Sequence, residues 1–277
     1  MLLQHKTTRT LFTTKRLMSK QIKYDLFKNP GQVEAYAKYR PQYPTEIFDS
    51  IKKYHNKNDD TTVADVACGS GQATIELAKH FKNVIGIEPS RPQLDNAPKQ
   101  DNIKYVHASA EATSLSDSSV DIVTVAQAFH WFDFEKFYAE VRRITRPDGT
   151  LAVWTYALNH FENKEAQYAL LHLYNVDLSG NWSERRKLVD DNYKSIVFPF
   201  QNKTEVVVNY KKTMSIRNYV NYLSSWSSIQ DYNQKNPNNT LLKDFELKLK
   251  TIYKADDTES FEVEVVWPMY LFLMKIN

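Results

Sequence analysis

The most informative stretch of the sequence is Val63-Ala-Asp65-Val-Ala-Cys68-Gly69-Ser70-Gly71-Gln72-Ala73. It joins a short apolar segment to two glycines, and a helical pattern begins directly after them. Glycines at such a turn let a ligand approach the backbone, and the free N–H groups of a helix N-terminus attract a negatively charged group. Thr74 occupies the third glycine position of the dinucleotide pattern G-x-G-x-x-G, which disfavours a dinucleotide. The stretch therefore predicts a strand-to-helix turn that binds a nucleotide or a nucleoside cofactor.

Short apolar segments recur after this turn and alternate with helical patterns. The predicted strands cover residues 63–67, 84–87, 103–106, 120–125 and 151–154. The clearest helical stripe between them consists of Phe134, Phe137, Tyr138, Val141 and Ile144. Continuously apolar strands that alternate with helices are typical of a parallel sheet covered on both faces. We therefore expect an α/β, doubly wound fold.

A second chemical signal is Glu88, which follows the predicted strand 84–87. An acidic side chain at this place, after a glycine turn, accepts hydrogen bonds from the two hydroxyl groups of a ribose. A nicotinamide dinucleotide and S-adenosylmethionine (SAM) both carry such a ribose. Glu88 therefore supports a nucleoside site without distinguishing these two cofactors.

Six motifs then follow one another at consistent spacing. They are Asp65-Val-Ala-Cys-Gly-Ser-Gly71, Glu88, the helical set Ser90, Leu94 and Ala97, Ala108-Ser109-Ala110-Glu111-Ala-Thr-Ser-Leu115, Asp117-Ser-Ser-Val-Asp121-Ile-Val123 and Arg143-Ile-Thr-Arg-Pro147-Asp-Gly149. As an ordered set they resemble class I SAM-dependent methyltransferases over residues 63–155. The resemblance implies a Rossmann-like, seven-stranded, mostly parallel sheet with a helical cap or insertion, and SAM as the cofactor. It assigns cofactor binding to Asp65, Gly69, Gly71, Glu88, Ser109, Ala110 and Gln127.

The motifs depart from the family pattern at two positions. Ala67 replaces the first glycine of the loop, which is tolerated if this residue stays in the strand, as expected from the predicted strand 63–67. Ser109 stands where an aspartate often meets the adenine amino group. A hydroxyl accepts that hydrogen bond more weakly, so the change costs affinity on the order of 1 kcal/mol.

A narrower resemblance concerns the trans-aconitate methyltransferases of the fungal type. It rests on four segments: Tyr39-Arg40-Pro41-Gln-Tyr43-Pro44, Ala128-Phe-His130-Trp131-Phe-Asp133-Phe-Glu-Lys-Phe137, residues 217–227 and Val263-Glu-Val-Val-Trp267. The resemblance implies a small-molecule acceptor, with a carboxylic acid that becomes a methyl ester as the expected class. The accepting atom, whether oxygen, sulfur, nitrogen or carbon, stays open at this stage.

Candidate acceptor-site residues are aromatic or cationic. His130 is expected either to form the pocket wall, or to hydrogen-bond the acceptor, or to act as a base for a hydroxyl or thiol. A polycarboxylate needs cations, and Arg40, Arg185, Arg186 and Arg217 are candidates because a guanidinium binds a carboxylate through two parallel bonds. For Arg40 two roles stay open, since it is placed to bind either the carboxylate of the cofactor or the acceptor. We expect Arg185 and Arg186 individually to be solvated surface residues. Tyr43, Trp131 and Trp226 complete the proposed acceptor site.

The chain divides into four predicted parts. Residues 1–24 form a disordered tail or a targeting segment, because residues 1–20 hold five basic residues and no acid. Residues 25–155 form the SAM-binding core with an N-terminal lid helix, and residues 156–260 form a helical cap with one core strand near residues 206–210. Residues 261–277 form a closing edge strand, in which Pro268 implies a bulge or an edge position. We expect a cytoplasmic protein, with mitochondrial import as the alternative that the N-terminus leaves open.

Composition excludes several other classes. The 277 residues include 36 Lys+Arg, 33 Asp+Glu and one Cys, so a disulfide framework and a nucleic-acid footprint are not expected. The seven histidines form no ligand spacing, so we expect no metal, and no apolar run is long enough for a membrane span. We favour a monomer. Three alternatives stay open: a protein or RNA methyltransferase, a non-catalytic SAM-binding protein and, least favoured, a nicotinamide-linked oxidoreductase.

Overall fold

The computed structural model describes residues 39–56 and 60–276, and its centre is one seven-stranded sheet. The strands are β1 (Thr62–Val66), β2 (Asn83–Ile87), β3 (Ile103–Val106), β4 (Val120–Ala126), β5 (Thr145–Tyr156), β6 (Gln201–Ser215) and β7 (Glu262–Lys275). Their order across the sheet is β3-β2-β1-β4-β5-β7-β6, and the first five are parallel. The predicted α/β, Rossmann-like, mostly parallel sheet is confirmed. The predicted tail, residues 1–24, lies outside the described residues.

Nine α-helices cover the sheet or extend beyond it in the described ranges. They are α1 (Thr45–His55), α2 (Gln72–His80), α3 (Arg91–Asp95), α4 (Phe134–Ile144), α5 (Lys164–His172), α6 (Arg186–Asp190), α7 (Ile216–Ser224), α8 (Ser227–Lys235) and α9 (Leu241–Tyr253). A 3-10 turn, Phe129–Trp131, follows β4, and a π-helical turn, Leu173–Asp177, extends α5. No helix in these ranges is long and apolar enough to span a membrane.

Two hydrophobic clusters, one on each face, hold the helices to the sheet. One cluster packs α1, α2, α5 and the three helices from α7 to α9 around fully buried Trp154 and Trp267. The other packs α4 and residues 189–198 around fully buried Phe129, which contacts several aromatic rings. Because both faces of the sheet are buried, the sequences of the parallel strands are continuously apolar.

The last strand occupies a different place from the predicted one. We expected residues 261–277 at the sheet edge, but β7 lies between β5 and β6, and β6 forms the edge. The prediction was wrong because β7 is buried along most of its length and pairs on both sides. β6 is exposed or half-buried at nearly every position, so its sequence shows only a short apolar signal.

Pro268 lies in this internal strand at a position where only one neighbouring strand, β6, pairs with the backbone of β7. The Val266 N–H donates to the His160 carbonyl, on the side of β7 that faces β5. Pro268 lies two residues further and so points to the same side, just beyond Tyr156, the last residue of β5. Its missing N–H therefore breaks no ladder hydrogen bond, and the position is locally edge-like.

The parallel register collects the predicted site residues at one edge. Asp65 is level with Gly86 of β2 and Thr124 of β4. The chain leaves β1, β2 and β4 at the same carboxyl edge, toward the glycine loop, Glu88 and Gln127. Ligands of doubly wound sheets bind at this edge, where the strand order reverses.

Candidate active site

The side chain of Asp65 holds the glycine loop in place by binding the helix that follows it and the neighbouring strand. It is fully buried in β1, and its carboxylate accepts hydrogen bonds from the Thr74 hydroxyl at 2.6 Å and the Thr124 hydroxyl at 2.9 Å. Burial raises the pKa of Asp65 to about 6, although the two threonine hydroxyls oppose the change. Thr74 replaces the third glycine of the dinucleotide pattern, and its hydroxyl fastens the start of α2 to β1.

The loop itself requires left-handed backbone at two glycines. Gly69 has φ +59° and Gly71 has φ +84°, a region that other residues rarely adopt. A Cβ atom on Gly71 would come within 2.6 Å of the Tyr105 hydroxyl, so a larger residue would displace Tyr105. Ala67 has φ +56° and lies after the end of β1. Our expectation that Ala67 stays in the strand is therefore wrong, and this residue holds an unfavourable conformation.

Glu88 is the second acid at this edge. It is buried, and its two oxygens accept the N–H groups of Gly69 and Ser90 at 3.0 and 2.9 Å. Burial raises its pKa, and the two backbone N–H groups oppose that rise. Each carboxylate oxygen keeps a second lone pair for a hydroxyl donor. Glu88 thus fits the diol of a ribose while it fixes the loop.

The remaining predicted cofactor residues follow β3 and β4. The Ser109 carbonyl accepts the Ala112 N–H in a tight turn, and the neighbouring Ala110 is buried. Gln127 has φ +54°, and its amide bonds both the N–H and the carbonyl of Tyr156. Its side chain is therefore used to join the ends of β4 and β5. Together with the open glycine loop and Glu88, these turns fit an adenosine-containing cofactor.

His130 lies in the 3-10 turn after β4 and is buried. Its Nδ1 lies 2.8 Å from the Tyr193 hydroxyl, and its ring lies 4.7 Å from that of Trp131. Burial lowers the pKa of His130 to about 3, with further lowering by the positive charges of Arg186, Arg185 and Arg40. His130 is therefore neutral near pH 7, and three guanidinium groups lie close enough to act on it.

Arg185 and Arg186 are built into this site. Arg185 donates to the carbonyls of His130 and Phe132, both at 2.9 Å. Arg186 bonds Asp190 and Tyr174 and lies over the rings of Tyr174 and Trp182. Both arginines are half-buried. The expectation of solvated surface residues was wrong, because Arg185 binds carbonyl groups more than 50 positions earlier and Arg186 packs over two aromatic rings.

Arg40 approaches the same edge from the N-terminal side. It donates to the Ser225 hydroxyl and carbonyl and, at 3.0 Å, to the Tyr156 hydroxyl at the end of β5. The neighbouring Pro41 carbonyl accepts a hydrogen bond from Gln72, the first residue of α2. Arg40 therefore bridges the glycine-loop helix and the chain after α7.

The structure separates the other predicted acceptor residues. Trp226 packs against Tyr222 and Trp182 within the aromatic surroundings of Arg186 and Arg40. Tyr43 instead packs edge-on against Trp154 in the core. Arg217 pairs with Glu246 at 2.7 Å and Glu259 at 3.3 Å. The structure thus joins His130, Trp131, Arg40 and Trp226 in one region and holds Arg217 in ion pairs.

Sequence reasoning missed several residues that shape the region. They are Thr155, Tyr156, Tyr174, Trp182, Tyr193 and Ser225. Position could have indicated Tyr156, because it ends a strand at the ligand-binding edge. Ser225 lies within the segment 217–227, and the others lie outside any motif. Their roles depend on contacts in the folded chain that no local pattern predicts, such as those of Tyr193 with His130 and of Trp182 with Arg186.

Known proteins resemble this chain in sequence and in fold. The family model of a methyltransferase domain matches residues 64–153. A Dictyostelium discoideum protein named as a methyltransferase is 38% identical over 244 residues, 87% of this chain and 92% of that protein. This chain belongs to the methyltransferase family. CRG1 of Saccharomyces cerevisiae, named as a SAM-dependent methyltransferase, is 26% identical over 87% of this chain and 94% of its own length.

A solved structure supports the same assignment. A type II methyltransferase from Anaeromyxobacter dehalogenans has a TM-score of 0.77 and 28% identity, and the match covers 86% of this chain and 98% of that one. The resemblance to class I SAM-dependent methyltransferases is therefore confirmed, and SAM is the cofactor. The alternative of a nicotinamide-linked oxidoreductase is wrong.

The buried Asp65 predicts a specific pH dependence of stability. Because its pKa is raised on folding, the unfolded chain releases this proton first, and the native state loses stability as the pH rises from about 4 to about 6. Relative to Asp65→Asn, the wild-type protein should lose about 2–3 kcal/mol of unfolding free energy between pH 4 and pH 7. Urea titrations of both proteins without SAM measure this difference. If the unfolding free energies of the two proteins changed with pH in the same way, Asp65 would not have the raised pKa of a buried carboxylate.

Glu88 predicts the strength of cofactor binding. Glu88→Gln removes the charge and leaves one acceptor oxygen for two backbone donors, so SAM affinity should fall about tenfold or more. Calorimetric titration with SAM measures the change. Glu76→Gln is the matched control, because Glu76 pairs with Lys79 on the exposed side of α2. Equal affinities of the two variants for SAM would show that Glu88 does not bind the ribose.

Proposed function

We propose that this methyltransferase methylates a carboxylate of a small organic acid and releases the methyl ester. SAM supplies a methyl group on a positively charged sulfur, and the acceptor's oxygen displaces that sulfur in line. The protein must then hold the acceptor oxygen in line with the methyl group and exclude water, which supplies roughly 7–11 kcal/mol in favourable cases. No nucleophilic side chain is needed.

The charge of the acceptor region carries this proposal. Arg40, Arg185 and Arg186 all act on the His130 ring; Arg186 pairs with Asp190, and the charge of Arg185 also acts on Asp133. Arg185 makes its hydrogen bonds to carbonyl groups through Nη1 and forms no ion pair within the described ranges. A guanidinium held in this way favours an anionic ligand, which it binds through two parallel bonds.

The chemistry of His130 also favours a carboxylate. A base with a pKa of about 3 is too weak to deprotonate a hydroxyl or thiol effectively near pH 7. A carboxylic acid is already ionised at that pH and needs no base. A neutral His130 beside arginines therefore suits an acceptor that arrives as an anion.

The segments that resemble the trans-aconitate methyltransferases support the same substrate class. Arg40, His130 and Trp226 belong to three of those segments, which are far apart in the sequence. Arg40 contacts Ser225, the residue before Trp226, and its charge acts on His130. Residues that carry the resemblance thus surround one region, which has the positive charge that a polycarboxylate requires.

Arginine variants test the proposal. Arg40→Gln and Arg186→Gln should each raise the KM for a methylated acid about tenfold or more, because one charge-assisted contact is lost. The affinity for SAM, measured by calorimetry, should change much less. Steady-state kinetics with labelled SAM and trans-aconitate or other di- and tricarboxylic acids measures the KM.

Arg217→Gln is the matched control for these variants. Arg217 is not among the arginines whose charge acts on His130, and it pairs with Glu246 and Glu259, so its removal should leave the KM unchanged. Unchanged KM values for Arg40→Gln and Arg186→Gln would contradict an arginine-bound carboxylate. A raised KM for Arg217→Gln would instead support the sequence-based prediction that Arg217 binds the acceptor.

A further inference from the structure

The strand β6 forms one edge of the sheet, and its outer side carries no partner strand within the described ranges. β7 pairs with β6 on one side along nearly its whole length, and no described strand lies on the other. The side chains of residues 201–213 are exposed or half-buried, and Val207 is 51% exposed. A long open edge of this kind is a template for pairing with another strand.

The backbone groups on the open side of β6 are identified through its neighbour β7. Val266 of β7 exchanges two hydrogen bonds with His160, on the side that faces away from β6. Backbone groups alternate in direction along a strand, so the odd-numbered residues of β7 are those that bond β6. Their partners in β6 are even-numbered, and the odd-numbered residues of β6 turn their N–H and carbonyl groups outward. No described residue forms a hydrogen bond with the backbone of these outward residues, which are Glu205, Val207, Asn209, Lys211 and Thr213.

A second copy of β6 fits this open side when the two strands run antiparallel about a twofold axis at Val208. This axis opposes residue 205 to residue 211 of the other copy, and residue 207 to residue 209. Opposed residues whose backbone groups point toward each other exchange two hydrogen bonds. The outward groups of both strands are then satisfied, and the pairing of β6 with β7 does not change.

The side chains match in the same register. Glu205 faces Lys211 of the second copy on the exposed face of the sheet, and opposite charges directly across an antiparallel pair stabilise it. On the half-buried face, Val206 lies opposite Tyr210 of the second copy, and Val208 lies opposite its own equivalent. Pairs of β-branched and aromatic residues are favourable at such positions. The twofold symmetry provides the contacts of Glu205 and Val206 twice.

The neighbouring registers match less well. An axis at residue 207 would oppose Lys203 to Lys211, and like charges directly opposite are destabilising. An axis at residue 209 would oppose Val207 to Lys211 and would leave Glu205 without an opposed cation. Lys211 also pairs with Glu264 and Glu162 of its own chain, whereas Glu205 forms no ion pair within the described ranges. The axis at Val208 therefore supplies a cation to the acid that lacks one.

We propose that two copies of this chain pair antiparallel through β6, with the twofold axis at Val208, so that their two sheets form one continuous sheet. The partner is thus a second copy of the chain, and the surface is the outer edge of β6. This inference is independent of the proposed function and of the identity of the acceptor. It departs from the monomer expected from the sequence.

Sedimentation velocity of the full chain tests the proposal. At tens of micromolar the wild-type protein should have twice the chain mass of 32.4 kDa. Val207→Pro removes an outward N–H group and no hydrogen bond to β7, so it should weaken the dimer tenfold or more. Val207→Thr is the matched control, because it keeps the N–H group and the β-branched shape, and it should remain a dimer. The affinity for SAM, measured by calorimetry, should be unchanged in both variants.

Two results of this experiment would overturn the proposal. One is a wild-type protein that stays monomeric at these concentrations, whether the edge of β6 is open or covered by another segment of the chain. The other is a dimer that Val207→Pro, with its SAM affinity intact, does not weaken, because that dimer would form through another surface.

Disulfide formation tests the register and does not depend on the proline variant. At the twofold axis the two Val208 Cα atoms would lie about 4.5 Å apart, within the range that a disulfide spans. Val208→Cys should therefore form a covalent dimer when the protein is treated with the thiol oxidant diamide. Val206→Cys is the matched control, because its two copies would lie roughly 13 Å apart. The natural Cys68 is buried. A covalent dimer of Val206→Cys, or none with Val208→Cys, would overturn the proposed pairing.

Discussion

The buried carboxylate of Asp65 is the constraint on which the cofactor site depends. It lies in β1 and holds both the start of α2, through Thr74, and the neighbouring strand β4, through Thr124. An ionised carboxylate without water is unfavourable, and the two hydroxyls offset only part of this cost. The glycine loop is therefore fixed between two strands and a helix by the Asp65 carboxylate, and the burial of this carboxylate lowers the stability of the folded protein. Strained backbone at Ala67 and Gln127 marks the same edge.

The acceptor region follows a different principle, because it combines charges from remote segments. Arg40 precedes the first described helix, Arg185 and Arg186 lie at the start of α6, and His130 follows β4. Three guanidinium groups near one neutral ring repel one another. The proposed carboxylate acceptor would relieve that repulsion, so acceptor binding and the ordering of the region should be linked. Burial keeps His130 neutral, and the three positive charges add to this effect.

The sequence was sufficient to predict the sheet and the cofactor edge, because local patterns encode them. A strand, a glycine turn and a helix follow one another within residues 63–80, and Glu88 follows the next strand. The placement of β7 inside the sheet and of β6 at its edge could not be predicted, since the choice of an edge strand depends on pairing over more than 50 positions. Arg185 was expected at the surface for the same reason, since its carbonyl partners lie more than 50 positions earlier, and Arg186 because its aromatic partners belong to no motif. Tyr193 belongs to no motif, and only its contact with His130 reveals its role.

The most direct test of the central claim is the chemical stability of the transferred methyl group. The purified protein is incubated with methyl-labelled SAM and a panel of small acids, alcohols and thiols, and the labelled products are treated with mild alkali. A methyl ester releases its label as methanol under these conditions, whereas ethers, thioethers and N-methyl groups retain it. With a carboxylate as the acceptor, labelled products should form from the acids only, and alkali should release the label. An alkali-stable label on a hydroxyl, thiol or amine acceptor would contradict it.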